Sequence, residues 1–381
     1  MMRRQGRGPV AVMVAAATAA AVGIGGLVWV ATASARPTVP AGDSTVLVRK
    51  DVKDLTKAEK AEIIAALKKA KTVPSPWDPS LSYYDQFVWW HVHAFDCENG
   101  WRQFQGQDWA GAAHNSPTFL PWHRQYLDLF EKMLQSMSGD PKLALPYWDW
   151  TDPASTAAVF ADDFMGGDGD PAKSYAVMTG PLRKGQWKIN VQDEPAMLKG
   201  VTKPKPYLVR NFGAFPAGEV SLPTAADVQQ TLTVHRYDAA PYNARSPLTR
   251  SFRNDIEGWR DALPGVCDDG WIDESEPGDA PHEMHNVVHI YTGGIWKVGS
   301  KVSQGTMAYN TSPNDPVFFF HHANIDRIWA AWEQSGSGHY QPQSGAKEGW
   351  NGDNTMWPWF DRTINSWFGT VRNGFRYAEL P

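Results

Sequence analysis

The spacing of apolar residues along the chain predicts amphipathic helices separated by long irregular stretches. A capping box runs from Thr56 to Glu59, and apolar residues follow it at helical spacing. This pattern predicts a first helix that ends near Lys71, ahead of a proline-rich segment at 74–79. A second helix is predicted over 82–95.

Two longer helices and one shorter helix complete the strong pattern. The stretch 118–137 places large apolar residues on one face, and 281–291 and 315–334 also have helical spacing. Asp315 is expected to be the N-cap of the last helix, with Pro316 at the first helical position.

The rest of the chain has weak periodicity. Residues 36–54 are predicted to be extended, 251–261 to be a short helix, and 268–279 to be an acidic loop. The stretch 141–249 is rich in Pro, Gly and Asp, which favours loops with short helices or strands packed on a helical core. The pattern therefore predicts a mainly α fold, with a four-helix bundle core, long loops and a few short strands, in one domain from 36 to 381.

Composition limits the function classes. The 381 residues include 19 Trp, 16 Phe and 12 Tyr, enough for a large core, and the net charge of −5 gives nucleic-acid binding no electrostatic support. The N-terminus carries Arg3, Arg4 and Arg7, then an uncharged apolar run that ends at Ala33-Ser34-Ala35. Residues 1–35 therefore read as a secretory signal cleaved after Ala35, and an uncleaved membrane anchor is the alternative.

Most of the histidines fall within 91–123 and 282–322, which points to two metal sites. His285 and His289 are four residues apart and share a helix face, but Asn286 stands where a zinc protease needs Glu. Imidazoles without thiolates or carboxylates suit copper, zinc, nickel or iron. Two such clusters suggest a paired-metal centre and oxygen chemistry. Spacing alone leaves three choices open: His91 or His93, His321 or His322, and whether His282 is a ligand.

Four segments resemble the tyrosinase family of type-3 copper proteins, and most closely its secreted bacterial members. They are YDQFVWWH (84–91), HNSPTFLPWHR (114–124), HNVVH (285–289) and SPNDPVFFFHHANIDRIW (312–329). The resemblance implies a dinuclear copper site within the helical bundle, with O2 as co-substrate. The six ligands that it implies are His91, His114 and His123 for one copper, and His285, His289 and His322 for the other. It leaves His93, His282 and His321 as non-ligands.

The same resemblance implies an oxidoreductase that hydroxylates monophenols at the ortho position and oxidises o-diphenols to o-quinones. Glu257 and Asn286 match the family pair that holds a water able to deprotonate a phenol. An insertion between Trp259 and His285 is expected to move Glu257 away from Asn286. Asn310 matches a substrate-gate position and implies an open entrance.

Further expectations concern crosslinks and partners. Cys97 and Cys267 are expected to form a disulfide, with two unpaired thiols as the alternative. Ala112 stands two residues before His114, so the Cys–His thioether of some relatives is not expected. The implied partners are a small phenolic substrate and a copper-delivery helper protein, with no membrane partner unless the N-terminal segment is uncleaved.

Three other functions compete with this interpretation. A catechol or o-aminophenol oxidase uses the same coppers without efficient monophenol hydroxylation. An oxygen carrier of the hemocyanin type binds O2 at such a site but blocks substrate. A zinc hydrolase is disfavoured because neither cluster includes a carboxylate.

Overall fold

The structure is a computed structural model that describes residues 46–95, 103–104, 107–108, 112–192, 201–216, 218–258, 284–336 and 338–381. Thr45–Pro381 clusters as one compact unit. The proposed signal segment, both cysteines, His282, Trp259 and the acidic stretch 268–279 lie outside the described residues. Among the described helices, none combines the length and the apolar character needed to cross a bilayer.

The described residues are mainly helical, as predicted. The helices are α1 (Lys57–Ala70), α2 (Tyr83–Phe95), α3 (Phe119–Ser138), α4 (Pro153–Val159), α5 (Ala225–Leu232), α6 (Phe252–Glu257), α7 (Met284–Gly293) and α8 (Val317–Gln334). Short 3-10 turns join several of them.

Local capping sets the helix ends. At the start of α1 the Thr56 hydroxyl accepts from the Glu59 backbone N–H while the Glu59 carboxylate accepts from the Thr56 N–H, so the predicted capping box is confirmed. Helix α3 ends at Gly139, whose φ of 83° suits a residue without a side chain. Helix α8 begins at Val317, one residue later than predicted. Its N-cap is therefore Pro316 and not the predicted Asp315, although the Asp315 Oδ1 accepts from the Val317 N–H at 3.2 Å.

An aromatic core joins α2, α3 and α8. Phe130 of α3 stacks on Phe319 of α8, and Phe87 of α2 packs edge-on against both rings. Tyr126 of α3 also stacks on Phe319. These large buried rings hold the three helices together, so the side chains next to them point into one interior region.

Strands in the described residues form six two-stranded ladders. The twelve strands are β1 (Leu47–Arg49), β2 (Gln103–Phe104), β3 (Gln107–Asp108), β4 (Gly169–Asp170), β5 (Ala176–Val177), β6 (Ala214–Phe215), β7 (Gly218–Glu219), β8 (Ile295–Val298), β9 (Lys301–Gln304), β10 (Thr355–Met356), β11 (Trp359–Thr363) and β12 (Phe375–Tyr377). The β1–β12 ladder is parallel, with Leu47 opposite Phe375 and Arg49 opposite Tyr377. The antiparallel β8–β9 hairpin follows α7 directly and pairs Ile295 with Gln304.

A buried ionic network links α3, α8 and the β1–β12 ladder. Asp326 of α8 accepts from Arg124 Nε at 2.6 Å and from Arg49 at 3.5 Å, and it also accepts from the Tyr377 hydroxyl. Arg49 in turn donates to Glu131 of α3 at 3.0 Å. Arg124 follows His123, and Asp326 lies one turn beyond His322, so this network braces the helix segments that carry two of the proposed ligands.

Candidate metal centre

The first histidine cluster is assembled from two helices and a loop. His91 projects from α2, His123 from α3, and His114 from the loop before α3. All three are at least 97% buried, and their ring centroids lie 4.9 Å (His91–His114), 5.0 Å (His114–His123) and 5.9 Å (His91–His123) apart. One ring nitrogen from each falls within 4.8 Å of the others, close enough to be drawn onto one ion.

The second cluster is already arranged as a metal site. His285 and His289 come from α7 and His322 from α8, and their Nε2 atoms lie 3.1 Å (His285–His289), 3.2 Å (His285–His322) and 3.4 Å (His289–His322) apart. Imidazole nitrogens about 2.0–2.1 Å from one first-row ion would be about 3.3–3.5 Å from each other. The three imidazoles therefore fit a single ion without rearrangement.

Backbone carbonyls fix which nitrogen of several rings faces inward. His91 Nδ1 lies 2.8 Å from the Asn310 carbonyl oxygen, His123 Nδ1 lies 2.8 Å from that of Phe119, and His289 Nδ1 lies 2.7 Å from that of Met307. A carbonyl oxygen only accepts, so each Nδ1 carries the proton and each Nε2 carries the lone pair. The Nε2 atom of His123 is buried and has no hydrogen-bond partner, as expected for an atom that binds a metal.

The two clusters are direct neighbours. The rings of His123 and His322 stack with centroids 4.1 Å apart and an angle of 13° between their planes. His114 and His285 form a second contact, with centroids 5.8 Å apart. Ions held by the two clusters would therefore share one interior space, which fits a dinuclear centre.

Burial keeps these imidazoles neutral. Removal from water lowers the pKa of His91 to about 3 and that of His289 to about 4. Burial, reinforced by neighbouring histidines, holds the pKa of His114 and His285 well below the ordinary value. Neutral imidazoles retain the lone pairs that copper binds, and the donor set of nitrogens without carboxylates suits copper.

His321 also belongs to the second group. One of its ring nitrogens lies within 4.8 Å of ligand atoms of His285, His289 and His322. The family resemblance implied that His321 is not a ligand. Its ring nevertheless lies among the three proposed ligands of the second site.

Glu257 and Asn286 lie on α6 and α7, and the chain just after Glu257 reaches Asn286. The Asn286 amide donates to the carbonyl of Gly258, the residue after Glu257. Glu257 is fully buried, and its Oε1 accepts from the backbone N–H of Asn115 at 2.6 Å, which places the carboxylate beside the first cluster. The side-chain separation expected from the insertion stays a prediction.

Arg253 is a functional candidate that the sequence did not reveal. It donates to Glu257 Oε2 at 3.0 Å and to Asp238 at 3.0 Å, and all three side chains are fully buried. Burial raises the pKa of Glu257 to about 7, and the positive charge of Arg253 limits that rise. A carboxyl with a pKa near neutrality can accept and return a proton.

Asn310 borders the first cluster, but its observed contact is through the backbone. Its carbonyl holds His91, and its side chain is half-buried. The roles of the Asn310, Phe119 and Met307 carbonyls could not be read from the sequence, because a carbonyl group is present at every residue.

Comparisons with known proteins identify one matching family model, similar chains and a similar fold. Residues 81–335 match the family model of the common central domain of tyrosinase. The chain is 38% identical over 323 residues to a tyrosinase of Streptomyces antibioticus, covering 83% of this chain and 94% of that protein. It is 35% identical over 337 residues to a grixazone synthase of Streptomyces griseus, covering 84% and 95%. A polyphenol oxidase variant from Thermothelomyces thermophila shares the fold, with a TM-score of 0.55 at 21% identity over 88% and 89% of the chains.

Proposed function

We propose that this chain, which belongs to the tyrosinase family, is a dinuclear copper oxidoreductase. It uses O2 to hydroxylate monophenols and to oxidise o-diphenols to o-quinones. The observation that carries the proposal is the pair of adjacent, buried three-histidine clusters with a buried carboxylate beside the first. Small phenolic substrates are the class that such a centre oxidises.

We assign one copper to the first cluster (His91, His114 and His123) and the other to the second (His285, His289 and His322). Copper bound there would supply O2 binding and would accept electrons from the aromatic substrate. The protein supplies six neutral imidazoles, and backbone carbonyls fix the orientation of three of them, His91, His123 and His289. Phe318 packs against His91 and His322, so it keeps water away from the ligands of both sites.

Monophenol hydroxylation requires that the phenol first lose its proton. We propose that Glu257 and Asn286 hold a water that takes this proton and passes it to the Glu257 carboxylate. Asn286 Oδ1 is buried without a hydrogen-bond partner, so it is available to accept from that water. The raised pKa of Glu257, about 7, suits reversible protonation near neutral pH.

A second candidate is an oxidase of o-diphenols or o-aminophenols that hydroxylates poorly. It is favoured by the hydrogen bonds of Glu257, because each carboxylate oxygen already accepts from a donor in the protein. A water bound between Glu257 and Asn286 would therefore have to share a carboxylate oxygen with one of these donors. The similarity to a grixazone synthase leaves this alternative in view.

Oxygen uptake by the copper-loaded enzyme separates the two candidates. A monophenol such as tyrosine and its o-diphenol are tested with the wild type, with Glu257→Gln and with Asp255→Asn. Asp255 is a matched control, because it is a buried carboxylate on the same helix that accepts from Thr231 instead. Glu257→Gln should lower monophenol turnover about 100-fold and change diphenol turnover little.

The other outcomes decide against parts of the proposal. Equal losses on both substrates would refute the water-activation role of Glu257. Uptake by the wild type with the diphenol alone would make the chain an o-diphenol or o-aminophenol oxidase. Bound O2 without turnover of either substrate would indicate an oxygen carrier.

We also propose that residues 1–35 direct export and that the mature enzyme acts outside the cell. Support comes from the basic start, the uncharged apolar run and the small residues before Arg36. Mass spectrometry of protein from culture medium should show an N-terminus at Arg36. Recovery of the intact chain in the membrane fraction would instead support an uncleaved anchor.

We further propose that a helper protein assists copper loading. The buried clusters favour this role, since five of the six rings of the two triads are closed off from bulk water and His289 is only partly exposed. Full loading of the purified copper-free chain by copper salt alone, at a rate matching that in cells, would argue against a helper.

A further inference from the structure

His321 is a fully buried imidazole on α8. Its polar partner in the described protein is the backbone of His285, at the edge of hydrogen-bond geometry. One such contact engages one ring nitrogen, so the other nitrogen is left to bind a further partner.

The ring of His321 lies among the ligands of the second site. Its centroid is 5.4 Å from that of His285, 5.0 Å from that of His289 and 5.0 Å from that of His322. The three ligand rings are themselves 4.6 Å, 4.8 Å and 5.6 Å apart. The three distances from the His321 ring therefore fall within the range of the distances between the ligand rings themselves.

We infer that His321 is a fourth, conditional copper ligand at the second site, which binds the ion when that site alone is loaded and withdraws when both are loaded. The inference rests on the proposed function only in taking copper as the metal. Cu(II) favours four donors in a tetragonal arrangement, and His285, His289 and His322 supply three. His321 is the nearest further neutral donor in the same buried group.

The geometry also explains why the fourth bond is conditional. The three triad nitrogens lie 3.1–3.4 Å apart, and one ring nitrogen of His321 lies within 4.8 Å of them. The His321 ring lies nearly parallel to that of His285, at 19°, so it must turn about its side-chain torsions to reach the ion. A catalytic site has to keep one coordination position open for its substrate. The withdrawn position of His321 leaves that place for O2.

Among the described residues, the first cluster has no equivalent of His321. The only other histidine on α2 is His93, whose Nδ1 lies 2.8 Å from the Trp89 carbonyl and which stacks on the Trp89 ring. Its ring is not part of the described three-histidine group. A fourth donor at one site only predicts stepwise loading, in which the second site takes the first copper and holds it more firmly.

The test uses the full-length, copper-free protein with copper(II) sulfate added to one ion per chain. Pulsed electron paramagnetic resonance then counts the nitrogens bound to Cu(II) in the wild type, in His321→Gln and in His321→Phe. His93→Gln is the matched control. The wild type and the control should show four nitrogens, and both variants at 321 should show three. Removal of that copper by EDTA should be about tenfold faster in the two 321 variants.

A parallel arm with His285→Gln separates this inference from the proposed function. If that variant keeps two coppers and full oxygen uptake, the proposed second copper site is wrong. If His285→Gln is inactive while the wild type shows only three nitrogens, the inference alone fails. The same nitrogen loss in His93→Gln would also overturn it, because the effect would not be specific to His321.

Discussion

The buried carboxylate of Asp326 gives the strongest stability prediction. It is 3% exposed and accepts hydrogen bonds from Arg124, Arg49 and the hydroxyl of Tyr377. Asp326→Asn keeps the shape but removes the negative charge between two fully buried guanidinium groups. Breaking a buried pair in this way costs about 3–5 kcal/mol.

The expected value lies near the lower end of that range. Arg124 keeps Glu333 at 3.0 Å, and Arg49 keeps Glu131 at 3.0 Å, so neither cation is left without a counterion. A loss of about 3 kcal/mol should be visible as a shift of the urea midpoint at constant slope. The copper-free protein is the correct sample, because bound metal would add its own stabilisation.

Asp128→Asn is the matched control, since Asp128 pairs with Lys132 on the outer side of α3. That exposed pair should contribute about 0.5 kcal/mol or less. If Asp326→Asn costs no more than Asp128→Asn, then the network does not stabilise the bundle and the reasoning from burial is wrong. A double variant that replaces Arg124 and Asp326 by Met and Leu should recover only part of the loss, because it removes one buried charge pair but leaves Glu333 without its Arg124 partner.

Two other predictions follow from local geometry and from burial. Gly305→Ala should strongly destabilise the loop that holds His289, because the added Cβ would overlap the Gly293 carbonyl oxygen. Thermal unfolding and copper content measure this effect. Gly167→Ala is the control and should be close to neutral in both assays, because its Cβ would meet no atom closer than 3.8 Å. For Glu257, the folded-state pKa of about 7 exceeds the usual 4.5, so protonation favours the folded state. This contribution is present below pH 4.5 and falls as pH rises to 7, by up to about 3 kcal/mol, in the copper-free protein. Urea unfolding at several pH values should show this slope in the wild type and not in Glu257→Gln, and equal slopes in both would contradict the assignment.

Local sequence signals were sufficient to predict the long helices. Thr56 and Glu59 form the predicted capping box, and the 118–137 pattern became α3, ending at Gly139. These features depend on residues within one or two turns of each other, so a short window contains the necessary information. The start of α8 shifted by one residue, since cap positions depend on backbone geometry at the junction.

Side-chain partners across the chain were much less predictable. The sequence did not show that Arg49, 277 residues away from Asp326, shares that carboxylate with Arg124. It also missed the contact between Arg253 and Glu257 and the role of Asp238, because buried charges are paired through tertiary packing. Nor did the sequence show that the Asn286 amide donates to the carbonyl of Gly258, the residue after Glu257.

The sequence by itself determined the helices, the two histidine regions and the family to which they belong, because periodicity, caps and motif spacing are local properties. Tertiary structure decided which nitrogen of His91, His123 and His289 faces inward, since carbonyls distant in the chain or one turn away select it. It also decided that His321 lies with the second cluster. Helix spacing gives the direction of a side chain, but only the packing of α7 against α8 brings four imidazoles into contact.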